Sequence, residues 1–427
     1  MKCSTFISTL ALTLILSSPL AIGQGEAAVP FLEITSSTQG NGMGGIARTL
    51  PSLAATAPIA NPGQLGLFTL SNIINFSGYT SNTQWLPAFN FPNLTYDVTA
   101  ANAGYNFRDL LSLPFGASIG IGYSRINLNL GTFTLTSSAG PTPIGTFNAM
   151  EKCESISASL GLEYFAKLGV GMNFKKIDSD LGPLTLNTAG RTKAEAKVSA
   201  RDFGILLSLP LADIASALTG EDFEIVPGLA PLLDVSLGYV RSNVGGEVTY
   251  LDFEQRDPLP RTAAVGLGIT AGLTAKAGNS DWKIISASIA RQADDILIIR
   301  GFNGTFEYQP GLGDLRVFDN LVLGREDPKL VLRRGWELSA AELLTIRGGS
   351  VGGHGFDYTT SGYSICLGGI LKLLQSGSSD LAGTPWIKFL SDHLDVQYSS
   401  SSYEDKSGPL NGTSFAELNL VIKGVPW

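Results

Sequence analysis

The stretch that decides the fold runs from Ser155 to Tyr164 and reads SISASLGLEY. Its even-numbered residues are apolar or aromatic, and the odd-numbered residues between them are small or polar. Successive side chains of a β-strand point to opposite faces, so this stretch predicts a strand with two chemically different faces. The same alternation returns at 168–175 and 265–274. The pattern indicates one face toward lipid and one toward a filled or water-containing lumen.

The composition favours a transmembrane barrel over a soluble protein. Only 15% of the 427 residues are charged, and 50 residues are glycine, whereas soluble domains carry about 25% charged residues. No segment after the N-terminal leader offers the ~20 apolar residues that a spanning helix needs. A closed barrel is then the structure that satisfies every backbone polar group in lipid. The net charge of −8, without a basic cluster, predicts that nucleic acid is not a partner.

The N-terminus predicts a secretory signal peptide over residues 1–23. Lys2 precedes an apolar run at 6–16, and small residues follow near a cleavage point after Gly23, with Ala27 as the second choice. Export leaves Cys153 and Cys366 in a compartment that permits a disulfide, and their pairing stays open. We expect the bacterial outer membrane as the location.

The remaining chain divides into two parts. Residues 24–66 are small and rich in Gly and Pro, which predicts short helices and turns, with Asn61 as a helix cap and Pro62 at the first helical position. Residues 67–427 predict an all-β, antiparallel barrel of about fourteen strands, beginning with a strand near 67–77. Short turns are expected at one end and long loops at the other. The long connections are expected at 137–153, 178–192, 210–231, 310–330 and 372–391.

The residues that usually carry catalysis are sparse. His354 and His393 stand alone on separate elements, His354 in a glycine-rich turn and His393 at the start of a strand. No nucleophile, phosphate-binding or metal-binding motif is present. Three acidic pairs have Lys or Arg residues nearby and are interpreted as loop or lumen charges: Asp178/Asp180, Asp294/Asp295 and Glu326/Asp327. We therefore predict no enzyme, no cofactor and no metal site.

The order of several short motifs resembles that of FadL-like outer-membrane barrels. Two motifs follow the leader in that family's order, Gly42-Met43-Gly44-Gly45 and Asn61-Pro62-Gly63. Later motifs resemble the PorV/PorQ branch of that family. They are the segments 201–207, 334–338, 344–349 and 394–399. Two departures are the absence of acidic residues between the two early motifs and Gln64 where the family has Gly.

The resemblance implies that residues 30–66 form a hatch, or plug, inside the lumen, with both early motifs at its turns. Its PorV-like part implies a secretion-associated barrel that captures exported proteins for type IX machinery. The FadL-like alternative is a conduit in which a hydrophobic small molecule leaves sideways through the wall. A third alternative is a soluble secreted β-sandwich or repeat protein, which the low charge content and the terminal aromatic residue disfavour. Expected partners are accordingly outer-membrane lipid, cargo proteins or a hydrophobic small molecule.

The last strand is expected to carry the signal for barrel assembly. Leu418, Leu420 and Ile422 share the lipid-facing parity, and Trp427 supplies a terminal aromatic residue. Pro426, next to Trp427, has no backbone N–H to donate to a neighbouring strand, and Trp427 does not share the parity of Leu418.

Overall fold

Fourteen strands close into one antiparallel barrel, which confirms the predicted fold class. The computed structural model describes residues 27–91, 93–136, 140, 142–188, 191–220, 224–250, 256–277, 280–301, 305–377, 384–405 and 408–424. The predicted signal peptide and Trp427 lie outside these residues. Each barrel strand pairs with the next along the chain, and β1 pairs with both β3 and β17, which removes every free edge.

The strands have the following bounds: β1 Ile73–Tyr79, β2 Thr83–Gln84, β3 Thr95–Asn106, β4 Gly116–Thr136, β5 Pro143–Glu163, β6 Lys167–Thr188, β7 Arg191–Pro210, β8 Leu229–Gly245, β9 Thr262–Ala277, β10 Ser280–Ile296, β11 Ile298–Arg300, β12 Phe306–Tyr308, β13 Val331–Ala340, β14 Leu344–Gly353, β15 Phe356–Cys366, β16 Leu394–Glu404 and β17 Ser414–Lys423. Strand β2 only extends the edge of β3, and β11 and β12 form a separate hairpin.

The helices are short and flank or fill the barrel. The α-helices are α1 Thr38–Gly42, α2 Ala57–Ala60, α3 Gly63–Thr69, α4 Leu211–Thr219, α5 Leu367–Gly377 and α6 Pro385–His393. Single turns of 3-10 helix lie at Pro30–Glu33 and Pro87–Phe89, and a π-helical turn lies at Phe318–Val322. Within the described ranges, no helix is both long enough and apolar enough to cross a bilayer.

The two faces of the wall follow the predicted alternation. On β5, Ile156 and Leu160 are exposed on the outside, whereas Ser157 is buried on the inside. The outward residues of β4 are apolar up to Tyr123 and polar from Arg125 onward. About eight strand residues, tilted by about 40°, give this apolar belt a height of about 20–25 Å. A closed barrel with such a belt is the architecture of bacterial outer-membrane proteins.

Strands β4 to β7 continue well beyond the apolar belt. They contain 20 to 22 residues each, about twice the 9–11 that cross a bilayer. In these extensions polar residues face outward and apolar residues such as Ile126 and Ile177 face inward. The segments 137–153 and 178–192, which were expected to be loops, are therefore mostly strand. The prediction failed because polar and charged residues occupy the outward positions there, and such a composition is typical of loops.

The long connections do not gather at one end, contrary to expectation. We call the end where β1 begins and β17 ends the near end, and the opposite end the far end. The connections that contain α4, α5 and α6 lie at the near end, whereas the connection 297–330 lies at the far end. The expected strand near 67–77 also begins later, at Ile73, because α3 continues to Thr69.

Candidate functional site

The described N-terminal segment, residues 27–72, lies inside the barrel, and we call it the plug. Its backbone starts at the far end, where the Ala28 N–H donates to the Pro258 carbonyl oxygen in the β8–β9 connection. It finishes at the near end, where α3 packs against strands β3 to β7. The structure thus places the predicted hatch in the lumen, but the inserted segment extends six residues past the predicted boundary at 66.

Glycine lets α3 approach the wall backbone to backbone. A Cβ atom on Gly63 would lie 2.8 Å from the Gly169 carbonyl oxygen of β6, which is closer than carbon and oxygen can approach. Gly66 faces Gly161 and Gly169 in the same way, and Pro62 covers Gly171. The small-residue faces of wall and plug therefore fit each other because neither has side chains in the way.

The motif at 42–45 turns the plug against β13, β14 and β15. Gly44 has φ +72° and Gly45 has φ +78°, which are left-handed conformations that favour glycine. The Gly44 N–H donates to Thr360 Oγ1 at 2.8 Å, and Met43 is buried with Ile46. A Cβ on Gly42 would meet the Cα of Gly362 at 3.2 Å.

The motif at 61–63 joins two helices of the plug to the wall. Asn61 ends α2, and its Nδ2 donates to the carbonyl oxygens of Arg48 and Ile205. Its Oδ1 accepts the Gly63 N–H at 2.9 Å. The predicted helix start is therefore displaced by one residue: Pro62 is the N-cap and Gly63 the first helical residue of α3, while Asn61 accepts the Gly63 N–H from one position earlier.

Polar wall residues bind the backbone between the two motifs. Asn75 Nδ2 on β1 donates to the Leu53 carbonyl oxygen at 2.7 Å, and Asn102 Nδ2 on β3 donates to that of Ala55 at 3.0 Å. Glu417 on β17 accepts from Thr56 Oγ1 at 2.8 Å. The strands that close the barrel therefore also hold the plug.

A layer of charged side chains crosses the middle of the lumen, and we call it the lumen charge cluster. It contains three acidic and three basic residues: Glu33, Asp202, Asp294, Arg48, Lys175 and Arg333. Asp294 on β10 pairs with Arg48 of the plug at 2.9 Å and with Arg333 on β13 at 2.7 Å. Lys175 on β6 pairs with Asp202 on β7 at 2.8 Å. Burial makes each pair depend on its partner, because an unpaired charge there is costly.

Glu33 belongs to the plug, and it makes no direct ion pair with another residue of the described part of the chain. Its carboxylate accepts from Thr262 Oγ1 at 3.0 Å and from Asn243 Nδ2 at 3.2 Å. Burial raises the pKa of Glu33, and the nearby charge of Arg48 opposes that shift only in part.

A bulge in the wall aims Asn243 at Glu33. The register between β7 and β8 shifts near Asp202, and Asn243 has φ +57°. The Asn243 N–H donates to Asp202 Oδ1 at 2.8 Å, while its side chain also accepts from Lys175 Nζ. Such bulges redirect a side chain locally, and here one asparagine connects two strands to the plug.

The space left between plug and wall is small. A cavity of about 30 Å³ lies beside the lumen charge cluster, between residues 32–36 of the plug and the wall. A site of this size holds about two water molecules. This cavity is therefore too small for any larger solute.

The far part of the lumen is aromatic and apolar, and we call it the far layer. The ring centroid of Tyr79 lies 6.0 Å from those of Tyr96 and Phe415, and Tyr403 packs on Phe415. Val29 and Phe31 of the plug are buried in the same cluster. The hydroxyl of Tyr96 hydrogen-bonds the Ser36 hydroxyl, and Tyr79 donates to the Ser36 carbonyl oxygen.

The other residues considered in the sequence lie away from this site or only at its margin. Cys153 is buried in the far layer and Cys366 lies at the near end; both are free thiols. His354 sits in the β14–β15 turn, as expected. His393 ends α6 rather than opening β16, and its Nδ1 contacts the Lys423 carbonyl oxygen.

The final strand shows the expected parity. Leu418, Leu420 and Ile422 alternate with buried Glu417, Asn419 and Val421, so they face outward on β17. The role of these residues in assembly stays a prediction, since Trp427 lies outside the described residues.

The lumen charge cluster was not foreseen from the sequence, and Asp294 was interpreted only as one of several loop or lumen charges. For Lys175 and Asp202, however, the sequence did indicate a position on the inner face. Lys175 shares parity with Gly169, Gly171 and Asn173, and Asp202 shares parity with Gly204. A charged residue on the small-residue face of a predicted strand is therefore a candidate lumen residue. Nothing local in the sequence pairs it with Glu33 or Arg48.

No protein-family model matches this sequence, and no curated protein matches it. Several solved barrels resemble the fold at low identity. The match to the Ralstonia pickettii toluene transporter TbuX has 11% identity and a TM-score of 0.40, and covers 90% of this chain and 96% of that one. A Pseudomonas aeruginosa FadL homologue matches with 11% identity and a TM-score of 0.36, and the match covers 91% of this chain and 98% of that one. The β domain of the Bordetella autotransporter BrkA matches with 10% identity and a TM-score of 0.34, and the match covers 82% of this chain and 98% of that one. These likenesses concern the barrel and carry no argument about what it transports.

Proposed function

We propose that this chain is an outer-membrane barrel that conducts a hydrophobic small molecule. The observation that carries the proposal is the far layer, where buried aromatic and aliphatic side chains line the lumen at its far opening. A water-filled channel has a polar interior instead. An apolar solute that enters from the far end would therefore leave water and contact a surface suited to it.

The barrel described above is the closed state of such a conduit. Val29 and Phe31 occupy the far layer, and the cavity below them holds only about two water molecules. Passage then requires residues 27–34 to move aside. The wall holds this stretch by a backbone hydrogen bond between Ala28 and Pro258 and by the hydrogen bonds of Glu33 with Thr262 and Asn243. A ligand that passes must therefore break these contacts.

An uptake experiment tests the proposal. Cells that lack other hydrophobic-compound channels would express the full chain, and accumulation of radiolabelled toluene and of a long-chain fatty acid would be measured. Toluene and the fatty acid are chosen because they represent a small and a long apolar solute. Ala200→Trp places a large ring into the lumen from β7 and should reduce uptake several-fold, since Ala200 belongs to the far layer.

The matched control is Ala158→Trp on β5, which adds the same ring to the outside of the wall. It should leave uptake unchanged. Both variants are first checked for heat-modifiable migration, which reports a folded barrel. Uptake that is no higher than in cells without the protein, for every compound, would contradict the proposal.

A second candidate is a secretion-associated barrel, which the resemblance to PorV-type proteins implies. The far-end connection 310–330 supports it, because this segment packs Leu315 and Leu321 on the outer wall and leaves Val317 and Phe318 exposed. Exposed apolar residues on a structured loop are suited to contact another protein.

The test of this second candidate compares one exported protein with and without a type IX C-terminal signal domain. Retention on the purified barrel that depends on that domain, and that Phe318→Ser weakens, would support capture. Equal retention of both forms would exclude specific recognition of the signal.

A further inference from the structure

The outer wall carries a groove of about 590 Å³ at the far boundary of the apolar belt. Strands β4 to β8 line it, and their register places its side chains in two rows. The lower row runs Tyr123, Ile156, Phe174, Arg201, Val244, and each residue pairs with the next across adjacent strands. The upper row, one step farther from the belt, contains Arg125, Glu154 and Lys176.

The groove is basic in a chain that is acidic overall. On the outward face, its lining carries two basic residues, Lys176 and Arg201, and one carboxylate, Glu154, so the charge of the lining is +1, whereas the whole chain carries −8. Arg125 and Lys152 flank this lining, and Asp178 faces Lys152 across the adjacent strands. Glu154 already accepts from Lys152 at 2.6 Å and from Tyr123 at 3.2 Å. Within the described part of the chain, neither Lys176 nor Arg201 has an acidic partner within ion-pair distance.

The position of these charges decides which anion they suit. Arg201 lies over the ring of Phe174 at 5.8 Å, so its guanidinium is held at the edge of the apolar belt. Tyr123 and Ile156 lie in the same row as Arg201 and are exposed on the lipid side. A ligand that fills both rows must carry an anionic head and an apolar tail. Arg and Lys at the headgroup level of a membrane attract anionic lipid phosphates in this way.

We propose that this groove binds a phosphate-bearing lipid of the adjacent leaflet. Lys176 and Arg201 contact the phosphate, and Tyr123, Ile156 and Phe174 contact the acyl chains. The site is independent of the lumen, so it stands whether or not the barrel conducts a small molecule.

Native mass spectrometry of the full chain in detergent tests the proposal, with phosphatidic acid as the probe. The double variant Lys176→Gln/Arg201→Gln should weaken binding about 30-fold, since each basic residue near a membrane surface contributes about fivefold. The matched control Arg108→Gln/Lys388→Gln removes two exposed charges at the near end and should change binding less than twofold. Diacylglycerol with the same acyl chains should bind poorly to the wild type.

Three outcomes would overturn the proposal: equal weakening by both double variants, equal binding of diacylglycerol, or displacement of the lipid by an equal concentration of inorganic phosphate. The last would mean that a free anion suffices. A measurement without variants covers the case in which the groove variant fails to fold. Raising the salt from about 0.05 M to 0.5 M should release most of the phosphatidic acid from the wild type; retention that ignores salt would also overturn the site.

Discussion

Individual buried charges determine how firmly the plug is held. Asp294 is the clearest case, because it is shared between Arg48 of the plug and Arg333 of the wall. A buried ion pair adds little net stability, but removing one partner leaves the other charge buried away from bulk water without its counter-charge. The energy of the closed lumen therefore depends on a few residues and not on the whole contact surface.

Asp294→Asn should lower the free energy of unfolding by about 3 kcal/mol, since it leaves Arg48 and Arg333 without their carboxylate. Urea unfolding of the barrel in detergent micelles measures the change. Asp109→Asn, in the exposed β3–β4 turn, is the control and should shift stability by less than about 0.5 kcal/mol. Equal effects of the two variants would show that the cluster does not anchor the plug.

Glu33 makes stability depend on pH. Because burial raises its pKa above the ordinary value of 4.5, the folded protein binds this proton more tightly than the unfolded chain does. The stability that the proton contributes is fully present below pH 4.5 and is lost as the pH rises through the raised pKa. The wild type should therefore lose stability relative to Glu33→Gln over that window.

Thermal unfolding of both proteins at several pH values measures this difference. Glu307→Gln, which changes an exposed carboxylate, is the control and should keep a profile parallel to that of the wild type. Parallel profiles for Glu33→Gln as well would mean that the Glu33 proton has no role in closing the lumen.

At the scale of elements, the long strands β4 to β7 each have two chemically distinct halves. The near half faces lipid with apolar residues, and the far half reverses this arrangement with charges outside and an apolar core inside. A residue's environment on the outward face therefore depends on its height along the strand, and one strand offers a matched pair of positions for testing this.

Leu160→Arg places a charge in the middle of the apolar belt on β5 and should destabilise the barrel by about 2–4 kcal/mol. Met150→Arg makes the same change on the same face of the same strand, but beyond the belt, and should cost about 0–1 kcal/mol. Folding titrations of both variants into lipid vesicles measure the two costs. Equal costs would place the bilayer elsewhere on the wall.

At the scale of the whole molecule, the barrel needs its plug to close the lumen. Side chains from the walls of a barrel of this width do not fill its interior, and here the plug supplies the missing layer from the far end to the near end. Charged, asparagine and glycine residues of the inner face, such as Arg333, Asn102 and Gly169, contact that one segment, so its removal tests these contacts together.

Deletion of residues 30–66 should open the lumen to small polar solutes. Release of a small dye from vesicles reconstituted with the deletion variant measures this, with vesicles that contain the intact chain as the reference. Heat-modifiable migration must first show that the shortened chain still forms a barrel. Unchanged permeability in a folded variant would mean that the wall or the far-end connections close the lumen without the plug.

Much of the fold followed from local pattern. The alternation at 155–164 predicted the strand, its two faces and the barrel, and the glycine motifs predicted turns within an inserted segment. The element boundaries that were predicted wrongly also have local causes in the sequence pattern. The extensions of β4 to β7 resembled loops because the alternation of polar and apolar residues inverts there. The helix α3 continues to Thr69, past the predicted start of the first strand, because the wall packs on it as far as that residue.

The sequence by itself determined which side chains face lipid and which face the lumen, because strand geometry links neighbouring residues to opposite faces. Only the tertiary structure decided which lumen residues meet. Glu33, Lys175 and Asp294 are separated by more than 100 residues from one another, and they lie in one layer because barrel closure sets the height of each strand and the plug passes through the centre. That height also places Lys176 and Arg201 at the boundary of the belt, since the register between strands, and not their spacing along the chain, brings them together.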